Sequence, residues 1–353
     1  MRHIDAGSMQ VENLWIASVG TYLPERMSTD RAVELGLYER ADQIESGMTS
    51  VTIAGDRPPV VMAASAARQA LARWGRPADA IDLLIHSGTL PQGPPVWSPP
   101  GYLLRELGGG SHAFALQVQQ DCNGMLAGIE VAAGQLLAST GRDTALLTAS
   151  ENATSTWCDR WRMSRPGMIC ADAGAAMVLS NKGGFAAIRA INSATVPELE
   201  GMHRGDDPLL PVAGRAEELD LVRRAAEFGR STMPVAQATE LMIEAQLAVV
   251  KRCLADAGLA AADLTKLIYA NVAWYLLDQW VMRPLGLTLA RSTFEFGRTV
   301  GHAGPCDQTI SLDHLMCTGK LRKGDHVLLL GAASGYCITG VVLTITDTPA
   351  WAT

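Results

Sequence analysis

Cys122 stands in QVQQDCNGMLAGIEVAAGQLL, where an extended apolar run, HAFALQV, leads into a polar turn and a long helix follows. That order puts the sulfur at a helix N-terminus, where unpaired N–H groups and the helix dipole favour thiolate. Asn123-Gly124 would let the backbone turn sharply and expose the Cys122 N–H as an oxyanion donor. The alternative is a buried cysteine near a helix start, and spacing alone leaves both readings open.

A thiolate nucleophile needs a proton partner, and the sequence holds seven histidines. His3 lies at the extreme N-terminus. His203, His314 and His326 fall in loops or polar helices, while His86 and His112 flank buried strands as core histidines. His302 is different: it lies in FGRTVGHAGPCDQTISLDH, a Gly-rich turn that opens a helix. Asp307, five residues on, could orient that imidazole and stabilise its cation, or it could be an ordinary helix N-cap. In LLLGAASGYCITG the small residues before Gly335-Tyr336 would let backbone approach a reacting carbonyl. Ser334 N–H is then a second candidate oxyanion donor, against a close-packed strand turn. Cys306, between His302 and Asp307, lacks the Asn-Gly turn and reads as core.

The elements that must position these residues repeat at about half the chain length. Residues 61–75 (VMAASAARQALARWG) read as an amphipathic helix ending in Gly, followed by a buried strand at 83–86. Residues 244–258 (EAQLAVVKRCLADAG) repeat the helix and 267–270 repeat the strand. The same spacing relates the turn, helix and strand of 121–151 to those of 306–332, so the pattern is a duplication rather than a solenoid. Strands open the halves at 14–20 and 185–194, with a boundary near Asn181-Lys-Gly-Gly. Buried runs alternating with helices predict parallel sheets covered on both faces. The expected fold class is α/β, with residues 9–181 and 182–353 as two pseudo-symmetric halves that bring the two turns together. The segment 197–232 is the expected long excursion, a substrate or partner loop.

Composition limits the function. The chain has 353 residues, 48% hydrophobic and 18% charged, with a net charge of −7. A largely disordered chain is excluded, and without a basic run so is a nucleic-acid binder. No apolar run is long enough to span a membrane. The stretch MRHIDAGS lacks the apolar region of a secretory signal, so Met9 is expected as the natural start and the cytoplasm as the location. The seven cysteines are odd in number and contain no C-x-x-C pair, which suits neither a disulfide framework nor a metal site.

On these motifs the sequence resembles the β-ketoacyl-[acyl-carrier-protein] synthase III family, of thiolase fold, from Met9 to the C-terminus. GTYLPE (20–25) is similar to that family's opening strand-turn, and DCNGM (121–125) to its Ala-Cys-x-Gly-Phe nucleophile turn. ADAGAAMVL (171–179) looks like its Gly-Asp-Gly-Ala strand, and GAASGY (331–336) like its Gly-Gly-Gly-Phe oxyanion loop. The resemblance implies an αβαβα layering, a homodimer, and a nucleophilic role for Cys122. Two departures stand out. LIYANVAW (267–274) replaces the family's His-Gln-Ala-Asn motif, with Ala270 in the His position. GHAGPCD (301–307) replaces its Gly-Asn-Thr-Ser motif, with His302 in the Asn position.

In that family the His/Asn pair stabilises the enolate when a malonyl thioester decarboxylates, so its loss points away from carbon–carbon bond formation. Cys122, His302 and Asp307 are similar to the set in synthase III-like acyltransferases of antibiotic pathways. Those move an intact acyl unit, malonyl in the cervimycin type, to a hydroxyl of a sugar or polyketide. The expected donor is a coenzyme A or acyl-carrier-protein thioester, with no permanently bound cofactor. The alternative is a decarboxylating or priming synthase, and a third is a non-enzymatic subunit that gates carrier-protein traffic.

Four weaker substrate-binding candidates are Trp157, Arg160, Trp161 and Asn271. Trp157, Arg160 and Trp161, with Arg162 and Arg165, could stack an adenine and pair phosphates, or form a rim loop. Arg215, Arg223, Arg224 and Arg230 could face an acidic carrier protein, although interleaved acids favour a solvated helix face. The fourteen methionines and LPQGPPVW (90–97) suggest an adaptable acceptor tunnel, against ordinary core filling.

Overall fold

Runs buried on both faces build the central strands of one large sheet. The computed structural model describes residues 7–154, 158–209 and 219–352. Its strands are β1 (Gly7–Gln10), β2 (Trp15–Tyr22), β3 (Arg26–Ser28), β4 (Ser50–Thr52), β5 (Leu83–Ser87) and β6 (Phe114–Val118). They continue with β7 (Thr144–Glu151), β8 (Ala173–Ser180), β9 (Ala186–Thr195), β10 (Leu264–Ile268), β11 (His326–Ala333) and β12 (Cys337–Ile345). The main sheet runs β10-β11-β12-β9-β2-β8-β7-β5-β6, with β1 beside β9, while β3 and β4 form a separate ribbon. The helices that matter here are α1 (Pro59–Trp74), α2 (Gly124–Ala138), α3 (Leu221–Ser231), α4 (Val235–Ala257) and α5 (Asp307–Cys317).

Each strand's period of two feeds two different cores. In β7 and β8, Leu147, Met177 and Leu179 enter a central core with Met125 and Ile129 of α2 and Ile310 and Leu315 of α5. Their neighbours Leu146, Ala176 and Val178 enter an outer core against α1. In β11 and β12, Leu329 and Val341 join the central core, while Leu328, Leu330 and Val342 meet α4 on the opposite face. The layers therefore run α1, strands, α2 with α5, strands, α4. The fold class read from the sequence is the one observed: α/β, with thiolase-type layering.

Among the described strands, parallel pairing holds only for β5 with β6 and β7, and for β10 with β11. The remaining ladders, β1–β9, β2–β8, β2–β9, β7–β8, β9–β12, β11–β12 and β3–β4, are antiparallel. The difference has a local cause. Between β11 and β12 the chain reverses in the three residues Ser334–Tyr336, and no crossover helix fits in so short a link. Gly7 and Ser8, ahead of the expected start at Met9, pair with Ser193 and Asn192. Among the described residues no helix is long and apolar enough to cross a membrane.

Close approach of α1 to the sheet depends on missing side chains. A Cβ at Gly20 would lie 2.2 Å from the Ala66 carbonyl oxygen, and one at Gly174 would lie 2.4 Å from that of Met62. Both obstacles are backbone, so a methyl group must push the helix away. Gly20→Ala is expected to lower unfolding stability by about 2–3 kcal/mol. Urea denaturation measures this, and an unchanged midpoint would mean that α1 is not seated on β2 as described.

Candidate active site

The turn that carries Cys122 owes its shape to Asp121. Cys122 sits in the one-turn segment Asp121–Asn123, between β6 and α2. Asp121 takes the left-handed conformation, with φ 41°. Gly124, expected to supply the sharp turn, is ordinary helix at φ −56°. Its lack of a side chain serves packing instead, since a Cβ there would meet Ser87 Cβ at 2.7 Å. Cys122 is left partly exposed at the start of α2.

His302 is fixed through its backbone. Its N–H donates to Ile169 O at 2.8 Å, and its carbonyl accepts from Ala171 N at 2.8 Å. Left-handed Gly301 and Gly304 shape the turn on either side. The ring then reaches Cys122: Nε2 lies 3.0 Å from Sγ, and Nδ1 lies 2.6 Å from Asp307 Oδ2. Because Asp307 accepts at Nδ1, the network assigns a proton there and leaves Nε2 to face the sulfur. Burial alone would lower the His302 pKa, but Cys122 and Asp307 outweigh it and hold the imidazole well above its usual range.

Asp307, the first residue of α5, is fully buried. Besides His302 it accepts from Ala303 N at 2.8 Å, Asn271 N at 2.8 Å and Asn271 Nδ2 at 3.1 Å. Asn271 Nδ2 also donates to Gly301 O at 2.9 Å. Asn271 is thus a support for the His302–Asp307 pair and is turned toward it, not a substrate contact as expected from sequence.

Cys122 and His302 open into a cavity of about 1,090 Å³. Its wall is mostly apolar, with Met163, Met168, Met202, Met242, Tyr269 and Trp280 among the larger side chains. Ala270 and Ser334 line the same space. The excursion contributes a wall through the short 3-10 helix Pro197–His203 and through α3. Of LPQGPPVW only Leu90 lines the cavity; Gln92 is buried on His86, at 3.1 Å from its Nε2. His86 is a core histidine, pushed down to about 4 by burial. Cys306 is likewise buried in the core.

Two expected substrate contacts are structural. Arg160 pairs with both carboxylate oxygens of Asp172, at 3.0 and 3.1 Å, so its guanidinium is not free for a phosphate. Trp161 is buried in the central core with Tyr38 5.6 Å away, ring to ring. Trp157 and Arg215 lie outside the described residues. Arg223 pairs with Glu227 at 2.7 Å and Asp207 at 3.3 Å, and Arg224 pairs with Asp207 at 2.6 Å, so these two present no unbalanced positive face.

Sequence reasoning missed Glu151 and set His203 aside, and both line the cavity. Glu151 is the one charged residue in β7, which is the signal that could have marked it. His203 is set against the cavity by the Pro197–His203 turn, with a pKa that burial lowers.

Residues 116–195 match the family model for 3-oxoacyl-[acyl-carrier-protein] synthase III, and residues 254–345 match its C-terminal model. The chain is 28% identical to the β-ketoacyl-[acyl-carrier-protein] synthase III of Acidiphilium cryptum (strain JF-5), over 93% of this chain and 98% of that protein. Among solved structures it is similar to the acyltransferase ChlB3, at 36% identity and a TM-score of 0.89, covering 96% of this chain and 99% of that one. The synthase III of Pseudomonas aeruginosa PAO1 shares the fold, with 22% identity and a TM-score of 0.76 over 95% and 99% of the two chains.

The arrangement can hold a thiolate beside an imidazolium and return the proton on demand. Asp307→Asn keeps the size of the side chain but sets an amide NH2 against two of the four donors, disturbs the tautomer at His302, and should slow Cys122-dependent thioester cleavage by about 10³–10⁴-fold. Asn271→Ala, which removes one of the donors to Asp307, should slow it less. Thiol release from an acyl thioester measures both, and a wild-type rate in Asp307→Asn would mean that His302 works without its carboxylate.

Proposed function

The chain belongs to the synthase III-like acyltransferases of the thiolase superfamily, and on that footing we propose that it transfers an intact acyl group, without decarboxylation, from a thioester to a hydroxyl. The observation that carries this reading is the single relay from Cys122 through His302 to Asp307, at 3.0 and 2.6 Å, with the methyl group of Ala270 in the same cavity. A decarboxylating site needs a second group to hold the enolate that forms, and Ala270 offers no hydrogen bond.

Cys122 thiolate attacks the carbonyl carbon of a coenzyme A or acyl-carrier-protein thioester. The tetrahedral oxyanion accepts hydrogen bonds from the N–H groups of Cys122 and Ser334. Collapse breaks the bond to the departing sulfur, which takes the proton from His302, and leaves an acyl-Cys122 thioester with neutral His302. The acceptor hydroxyl then gives its proton to His302 Nε2 as its oxygen attacks the acyl carbon. Collapse of the second intermediate releases the ester and restores the thiolate–imidazolium pair, with Asp307 holding the ring throughout. The acceptor is a hydroxyl-bearing, glycosylated or polyketide molecule, for which the apolar wall and volume of the cavity provide room. No resident cofactor enters these steps.

The same reading makes residues 9–181 the half that brings the nucleophile and 182–353 the half that brings His302, Asp307 and Ser334, in a cytoplasmic homodimer. A second reading, a decarboxylating or priming synthase, is favoured by the likeness to the Acidiphilium cryptum synthase along 93% of the chain.

The test is product analysis with a panel of acyl-coenzyme A donors and hydroxyl acceptors. An ester should form, with no carbon dioxide, and should disappear in Cys122→Ala and nearly so in His302→Ala. A β-keto product would support the second reading and overturn the first.

A further inference from the structure

Glu151 closes β7 with a buried carboxylate that no step above uses. One oxygen accepts from Thr89 N and the other from Leu90 N, the latter at 3.1 Å. The backbone of the His302 turn runs directly against it: a Cβ at Gly304 would lie 2.6 Å from Glu151 Oε1. Gly304 is therefore bare on the side that the carboxylate occupies, two residues from His302.

We propose that Glu151 is a positioning residue for His302: its carboxylate, held against the 301–306 turn by the Thr89 and Leu90 amides, stabilises the imidazolium beside the Cys122 thiolate. This rests on the relay described above. The ionisable groups around Glu151 come from every neighbouring element. His302 and Cys306 belong to the turn before α5, with Asp307 behind them on His302; Cys158 belongs to the segment before β8; Cys122 and Cys170 line the same cavity, and the Arg160–Asp172 pair is tied to Ala153, two residues on. Arg160 is already matched by Asp172, so His302 is the cation that the Glu151 charge meets. Burial pushes the Glu151 carboxyl up to about 7, against the pull of the two amides and of His302. It is thus neutral in acid and charged above neutrality. Its support for the imidazolium acts on the alkaline side, where His302 would otherwise lose its proton.

The test is titration of His302 by NMR in the full chain labelled with ¹³C at histidine Cε1, its signal assigned by its loss in His302→Ala. Glu151→Gln should lower the apparent His302 pKa by about half a unit, and Glu151→Asp should restore most of it. An unchanged titration in Glu151→Gln overturns the proposal. Cys122→Ala separates the two claims: the relay predicts a fall in that variant too, so a fall there without one in Glu151→Gln defeats only the role of Glu151. No change in Cys122→Ala would defeat the relay itself. Where Glu151→Gln does not fold, wild-type protein labelled at the glutamate carboxyl decides. One glutamate must titrate near neutrality and bend the His302 curve, and a His302 curve with no such inflection overturns the proposal.

Discussion

Asp307 has no contact with solvent, and a carboxylate in that position is held only where donors replace the water it has lost. Four N–H groups do so, from His302, Ala303 and twice from Asn271. They come from the segment after β10 and from the turn before α5, so the carboxylate locks two distant pieces of chain into one register. Even the space around Asn271 is reserved, because a Cβ at Gly297 would lie 2.3 Å from its Oδ1. With Asp307 fixed, the His302 ring has one orientation, and that orientation points Nε2 at Cys122.

The wall of the cavity completes the chemistry by what it lacks. Among the described residues only two imidazoles line it, His302 and His203, and Ala270 adds a methyl group. An acyl-enzyme of this kind lasts only if water is kept from its thioester. Methionines and aromatic rings do that better than a polar wall, and they adapt to the shape of an acceptor. The proposed outcome, transfer of the whole acyl group, rests on His302 as the imidazole that contacts the nucleophile and on a largely apolar enclosure.

Much of this was legible in the sequence. Hydrophobic periodicity marked α1, α4 and most of the strands, and the spacing of the two Gly-bearing turns marked Cys122, His302 and Asp307. What stayed illegible depended on partners remote in sequence or on backbone conformation. Arg160 reads as a free phosphate ligand until Asp172 is seen beside it. Asn271 reads as a substrate contact until the backbone brings it under Asp307. The Asn123-Gly124 pair reads as the sharp turn, since glycine is the usual sign of one, whereas the left-handed position is Asp121. Strand direction also escaped, because a buried apolar run looks the same in either orientation.

The most direct measurement is the mass of the Cys122 peptide after brief incubation with malonyl-coenzyme A, with Cys122→Ala as the control. Transfer without decarboxylation predicts an intact malonyl group on Cys122 and none in the control. An acetyl group there, appearing with carbon dioxide, would contradict the account and make the enzyme a decarboxylating synthase.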